Sequence, residues 1–319
     1  MKSTLGRRVL PAAAAALSLV LSGCVVVHGE REVLPAATPQ EARGALRAFT
    51  DAYNAADKAY DPGLDENRVT GAFGDIDGAR LKARHAGHPE GNARHEPLRL
   101  TDSRYVIPAK AGWPRWFLVD SAANKGGDAR WMLVFVKERK EEPWQVAYLT
   151  LLDPDDVPEF RKDEDGHAEP AAGGDPLALP PSRLSKAYAD YLGQGGDAFA
   201  EGPHTSAVRE QRKKNEKRPG LVRQFQDEPL TRGDYAPLGL RTADGGALVF
   251  FATRHFEKLT AAPGTAIPVQ NADVRALTTG EVEQTLTMEY VSQQAVRVPR
   301  TGQAVFLGRV PGLIAARGE

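Results

Sequence analysis

The densest group of side chains able to do chemistry is His85, His88 and His95, with Glu90 among them. Imidazoles and carboxylates are donors for a divalent metal, which holds its ligands at about 2 Å. His85 and His88 would share one helix face, but Pro89, Gly91 and Pro97 break the segment into a loop. A solvated loop is expected, with no metal centre. Asp163-Glu164-Asp165-Gly166 has part of a calcium-loop spacing, yet Arg161 stands at the first ligand position and no Glu closes the run. It reads as linker. No nucleophile elbow or His-Glu-x-x-His pair occurs, and the glycines from Gly193 to Gly196 do not follow a strand as a phosphate loop does. No cofactor is expected, although missing motifs do not exclude catalysis.

Aromatic side chains are the next candidates. All four tryptophans, Trp113, Trp116, Trp131 and Trp144, fall in the first half of the chain, with Tyr105 and Tyr148 nearby. They have the chemistry to line an apolar ligand pocket. The simpler account is that they are core, since aromatics bury the most surface per residue. Arg209, Arg212, Lys213, Lys214, Lys217 and Arg218, interrupted by Glu210 and Glu216, form a basic stretch. One of its faces suits anionic headgroups or wall polymers; the plainer reading is a solvated helix face.

The remaining reactive group is a thiol. Lys2, Arg7 and Arg8 precede an apolar segment from Val9 to Leu21, and Leu21-Ser22-Gly23-Cys24 follows. A charged start, a short apolar run and small residues form the layout of a secretory signal, too short for a stable membrane span. The run to Cys24 resembles bacterial lipoprotein signals. That resemblance implies removal of residues 1–23, acylation of Cys24 and anchoring in the outer face of the cell membrane. Cys24 is the only cysteine in 319 residues, so the exported part has no internal disulfide and no thiol nucleophile. Its stability must come from burial alone.

Roughly 295 residues after the signal are long for one hydrophobic core and comfortable for two. With 41% hydrophobic and 26% charged residues the chain is of ordinary globular composition, and a net charge of -1 gives no overall pull toward nucleic acid. Residues 24–38 lack periodicity and read as a tether. Thr38-Pro39-Gln40-Glu41 then has the form of a capping box with proline at the first helical position. Leu46, Phe49, Tyr53, Ala56 and Tyr60 follow at helical spacing. A shorter helix is expected from about Asp77. Strands are expected at 104–108, 116–120, 131–137 and 144–152, where aromatic and branched residues alternate with turn chemistry. The unbroken apolar run from Trp131 to Val136 predicts a central strand covered on both faces. Residues 154–181, rich in proline and acidic side chains, read as a linker with little to bury.

The second half repeats the pattern of the first. Ala187-Tyr188-Ala189-Asp190 lies over Ala48-Phe49-Thr50-Asp51, and Ala198-Phe199 then lies over Ala59-Tyr60 without a gap. Ser182 is expected to cap this second helix. Glu228-Pro229-Leu230 matches Glu96-Pro97-Leu98, and at the same offset Leu248-Val249-Phe250-Phe251 lies over Trp116-Phe117-Leu118-Val119. Further strands are expected at 247–256, 285–291 and 304–310. The fold class is therefore α+β, with a first domain at 39–153 and a second at 182–319, each of helices packed on an antiparallel sheet.

Helices followed by a curved antiparallel sheet, twice over, resemble the cystatin-like cone architecture of nuclear transport factor two and the small polyketide cyclases. With Gly112-Trp113-Pro114-Arg115-Trp116 and Asp227-Glu228-Pro229-Leu230, most of the chain is similar to a family of lipoproteins from bacteria with GC-rich genomes. Neither resemblance transfers a catalytic residue. The tether, the near-neutral charge and the lack of catalytic motifs instead fit a non-enzymatic binding or assembly module held at the membrane by Cys24, with an envelope protein, polymer or small ligand as its partner. The alternative is a cone-fold enzyme or small-ligand binder using the aromatic residues of the first domain. A desolvated carboxylate or histidine in a deep pocket would favour the alternative.

Overall fold

Thr38 starts the first helix as its sequence requires. Its hydroxyl accepts from the Glu41 N–H at 3.2 Å, and the Glu41 carboxylate accepts from the Thr38 N–H at 2.7 Å. The structure, a computed structural model, describes residues 32–171, 174 and 176–319; the expected signal peptide and Cys24 lie outside the described residues.

The first half begins with a short strand β1 (Val33–Pro35) and helix α1 (Pro39–Ala59), which buries Ala42, Leu46, Phe49 and Ala56. Helix α2 (Gly71–Gly87) follows, six residues ahead of the expected start. Strand β3 (Ala109–Ala111) pairs with β1. The strands β2 (Leu100–Val106), β4 (Arg115–Ala123), β5 (Arg130–Lys137) and β6 (Gln145–Leu152) form an antiparallel sheet in the order β2-β4-β5-β6. Every residue of β5 from Arg130 to Val136 is buried, because the strand is interior and covered on both faces.

The second half contains α3 (Pro181–Gln194), α4 (Ser206–Asn215), β7 (Lys217–Arg218), β8 (Leu221–Leu230), β9 (Leu238–Arg241), β10 (Ala247–Ala261), α5 (Ala272–Leu277), β11 (Thr278–Thr279), β12 (Thr285–Val298) and β13 (Val305–Gly318). The sheet runs β11-β13-β12-β10-β8-β7, with β9 beside β10. Ser182 does not cap α3, which enters through Pro180 without a side-chain cap. One turn on, the fully buried Ser185 hydroxyl donates to Ala252 O and accepts from Leu230 N, tying the helix to two strands.

Alternation along the strands creates three apolar layers. One face of the first sheet carries Phe117, Val119, Leu133, Phe135 and Val146 against Phe49 of α1. The opposite face carries Trp116, Leu118, Met132, Val134 and Tyr148, packed on Leu248, Phe250, Val291 and Ala295 of the second sheet. The outer face of that sheet presents Val249, Phe251, Val296 and Val298 to Leu184, Tyr188 and Tyr191 of α3. The order is helix, sheet, sheet, helix. The second cover of β5 is thus the other half of the chain.

Helix α2 fastens the halves together. Thr70 Oγ1 donates to Asp234 at 2.5 Å, and Tyr235 OH donates to Asp75 at 2.6 Å. Gly71, at φ 54°, lies so close to the Asp234 carbonyl that any Cβ would collide with it. The segment 154–181 is also built in: Arg161 N donates to Arg241 O, Ala168 N to Ile107 O, and Ala171 N to Gly239 O. Ala168 is buried in the shared core. Low hydrophobicity limits what this segment buries through side chains, but its backbone supplies hydrogen bonds to both halves.

Candidate functional site

The long strands β8, β10, β12 and β13 run past the end of α3, and their outward-facing residues change from apolar to polar there. His255 lies opposite Asp227 on β8 and Tyr290 on β12, and Glu257 lies opposite Phe225. Gln294 lies opposite Phe251 and Arg309. One sheet face therefore collects His255, Glu257, Asp227, Gln294 and Arg309, since ladder partners point to the same side. Helix α4 roofs this face with Val208, Gln211 and Arg212, leaving a cavity of about 220 Å³ lined by Arg212, Arg223, His255, Glu257 and Arg309. A groove of about 760 Å³ continues outward and shares Arg212, Arg223 and Phe225 with it.

The charges in this cavity are unevenly matched. Arg212 grips Asp227 with two parallel bonds of 2.6 and 2.8 Å, and its guanidinium covers the Phe225 ring at 4.8 Å. Arg223 meets Glu257 at 2.9 Å; burial still raises the Glu257 carboxyl, with Arg223 opposing the shift. Arg309 has neither a side-chain hydrogen bond nor an ion pair among the described residues, and its Nε is buried without a partner. Burial lowers its pKa, though a guanidinium stays charged in proteins. His255 is stacked on Tyr290 at 4.7 Å and 3°, and burial, helped by the Arg309 and Arg212 charges, depresses its pKa to about 3. It is a neutral ring able to donate and accept.

Further orphaned polar atoms belong to the same sheet face. Gln294, fully buried, donates to Thr253 at 3.1 Å while its Oε1 has no partner. Ser292 Oγ and Arg223 Nε are also buried and unpaired. Unmade hydrogen bonds cost about 1–3 kcal/mol each, so such a concentration calls for an explanation. Arg309 Nε and Arg223 Nε call for an acceptor and Gln294 Oε1 for a donor, and a ligand that combines an anionic group with a hydrogen-bond donor provides both.

The aromatic residues singled out by sequence do not converge. Trp116 and Tyr148 face the second sheet, whereas Trp131 and Trp144 face α1, because strand alternation sends them to opposite sides. All four are buried, and the Tyr148 hydroxyl donates to Ala236 O. Trp113 is 38% exposed on the turn before β4, beneath the cations Arg115 and Lys137. Only Tyr105 lines a sizeable cleft, about 620 Å³, which it shares with Asp120, Phe160 and His167.

The histidines separate in the same way. His85 and His88 are exposed, and His88 Nδ1 is 3.9 Å from Glu90. His95 instead meets Asp57 at 3.0 Å. Asp57 also accepts from Arg80 at 2.8 Å, and Arg80 bonds Asp77 at 2.7 Å. Burial opposes ionisation of Asp57, but Arg80 and His95 together hold its pKa below the usual range. Burial, then the charge and hydrogen bonding of Asp77, push Asp65 up to about 8. This network joins α1 to α2 and opens into none of the cavities described. The acidic run at Asp163 is a turn, in which the Asp163 carboxylate accepts from the Asp165 and His167 N–H groups.

Sequence reasoning missed the cavity in the second half. Part of its signal was present: His255 interrupts the alternation of the strand expected at 247–256, whereas Glu257, Ser292 and Gln294 lie beyond the expected strand ends, on the extensions that the structure adds. Arg212 was grouped with exposed cations, whereas its side chain is only 12% exposed on Asp227.

Among the described residues no helix is long and apolar enough to cross a membrane. No solved structure matches the chain. It is 60% identical over 312 residues to an uncharacterised lipoprotein of Streptomyces coelicolor, covering 97% of this chain and 94% of that one. A lipoprotein of Streptomyces avermitilis, also named uncharacterised, is 57% identical over 96% of this chain and 94% of its own. A second Streptomyces coelicolor lipoprotein is 26% identical over 68% of this chain and 63% of its own. One family model, described as a domain of unknown function (DUF8094), matches residues 33–318 and so spans both halves as one unit. By these matches the chain belongs to the DUF8094 family of bacterial lipoproteins.

Proposed function

We propose that the protein is an extracytoplasmic binding module, tethered through acylated Cys24 to the outer face of the cell membrane, that takes a small carboxylate- or phosphate-bearing ligand in the cavity beneath α4. The observation that carries this reading is Arg309, a guanidinium unpaired among the described residues, on a sheet face that also holds the orphaned atoms of Ser292 and Gln294. Arg212 and Arg223 already have carboxylate partners, which leaves Arg309 as the charge awaiting an anion. A guanidinium suits planar oxyanions through bidentate hydrogen bonds. The residues favour binding over catalysis, because both nearby carboxylates are held by arginines and His255 is locked in a ring stack.

A tandem origin of the two halves belongs to the same proposal, with a tether at 24–38, a linker at 154–181 and a cystatin-like cone on either side. It is supported by the equivalence of Phe49 and Tyr188, each fully buried at the centre of its helix. It is supported also by β4 and β10: Phe117 and Val249 face the helices, and Trp116 and Leu248 face the shared core.

The test is native mass spectrometry of the chain from Cys24 onward, purified from its own host, followed by calorimetric titration with inorganic phosphate and with succinate. A stoichiometric added mass, or saturable heat that Arg309→Met abolishes, supports the reading. A clean mass with no heat, or binding unchanged in Arg309→Met, overturns it. Cys24→Ala should release the protein from the membrane; continued acylation and retention would refute the anchor.

A further inference from the structure

The side of the molecule carrying β1 has a surface unlike the rest. Among the described residues, five large hydrophobic side chains are exposed, and three of them, Val33, Leu34 and Trp113, lie on β1 and on the turn between β3 and β4. Pairing of Val33 with Ala111 and of Leu34 with Lys110 brings these segments side by side. Arg115 lies 4.9 Å and Lys137 5.9 Å from the Trp113 ring, and Lys110 donates to Pro114 O at 2.5 Å. Glu41 stands near Arg115 and Lys137, Glu138 near Lys110, and Glu32 precedes Val33, so the positive charge is centred on Trp113 and does not cover the whole side.

Covalent reach determines what this side faces. Eight residues lie between Cys24 and Val33, and the steps joining the two, at 3.3–3.6 Å each, span at most about 32 Å. A folded body of this length has a diameter of about 50 Å. If Cys24 is acylated, β1 lies within that reach of the membrane and the far pole cannot rest on it. Tryptophan is the side chain most at home in the headgroup layer, and neighbouring cations meet anionic lipid phosphates there.

We infer that β1 and the β3–β4 turn form a membrane-resting face, with Trp113 seated in the headgroup layer and Lys110, Arg115 and Lys137 on anionic headgroups. This rests on the lipoprotein anchor and is independent of the ligand cavity. Two or more acyl chains already suffice for retention. The face therefore sets orientation, holding the body against the bilayer.

The single thiol allows a test that does not depend on natural acylation. Unacylated protein beginning at Cys24 is coupled to a maleimide-headgroup lipid in vesicles of phosphatidylcholine and phosphatidylglycerol carrying brominated acyl chains. Trp116, Trp131 and Trp144 are buried, so quenching should come from Trp113 and fall at least threefold in Trp113→Phe. Lys137→Glu should reduce quenching at least twofold. No quenching in the coupled protein, or equal quenching in Trp113→Phe, overturns the inference. Failure of acylation appears separately, as an unmodified Cys24 in protein recovered from cells.

Discussion

The two outer sheet faces are built alike at one end and differ at the other. In the first half α1 has 21 residues and β5 has 8, lengths of about 31 and 27 Å. The helix covers its strands, and the face beneath is apolar at its centre, with Ser121 and Lys137 only toward its ends. In the second half α3 has 14 residues and β10 has 15, about 21 and 50 Å. The strands outrun their helix, so the uncovered part changes to His255, Glu257, Ser292 and Gln294 under the short, charged α4. A filled face contributes stability; an overhanging one leaves room for a ligand.

Truncation should reveal this difference most strongly. Phe135→Ala empties a fully buried site stacked on Phe117 at 4.9 Å and should cost about 3–5 kcal/mol in urea unfolding. Phe225→Ala, in the open wall of the cavity, should cost about 1 kcal/mol. Equal losses would remove the distinction between a filled and an unfilled face.

The halves should also respond oppositely to pH. Asp65 has a raised folded pKa, so its contribution is fully present below the unfolded carboxylate value near 4 and is lost as pH rises toward 8. His255 has a depressed folded pKa, so its contribution is present above the unfolded value near 6.5 and is lost as pH falls toward 3. Each proton difference gives a slope of up to about 1.4 kcal/mol per pH unit. Asp65→Asn should flatten the decline on the alkaline side of thermal-unfolding profiles, and His255→Gln the decline on the acid side. Unchanged profiles would contradict the burial argument.

A smaller effect should carry the opposite sign. Arg309→Met removes a desolvated cation with no partner among the described residues and should raise the unfolding free energy by about 1 kcal/mol while abolishing phosphate or succinate binding. Destabilisation of that size would mean that Arg309 is structural. The smallest contrast concerns the helix starts: Thr38→Ala should cost about 1 kcal/mol through loss of the capping box, and the exposed Ser182→Ala less than about 0.5 kcal/mol.

Much of the α+β pattern was legible because it depends on local periodicity. Thr38 and Glu41 are three residues apart, and a capping box needs nothing distant. The apolar run of β5 announced two covered faces. The candidate site was hidden because its members are remote in sequence: Arg212, His255 and Arg309 meet only through strand pairing and the placement of α4. The aromatic cluster misled for the reverse reason. Trp116 and Trp131 are near in sequence, but their sheet positions point them to opposite faces.

The sequence by itself determined the helix start at Thr38, the central apolar strand and the single thiol at Cys24, since each is carried by one residue or by close neighbours. Tertiary structure alone decided that the second cover of β5 is the other half of the chain. It also decided that Arg212 is spent on Asp227 and that Arg309 has no side-chain hydrogen bond or ion pair among the described residues. Burial and charge pairing are properties of residues brought together from distant positions, and one-dimensional spacing does not encode which of them meet.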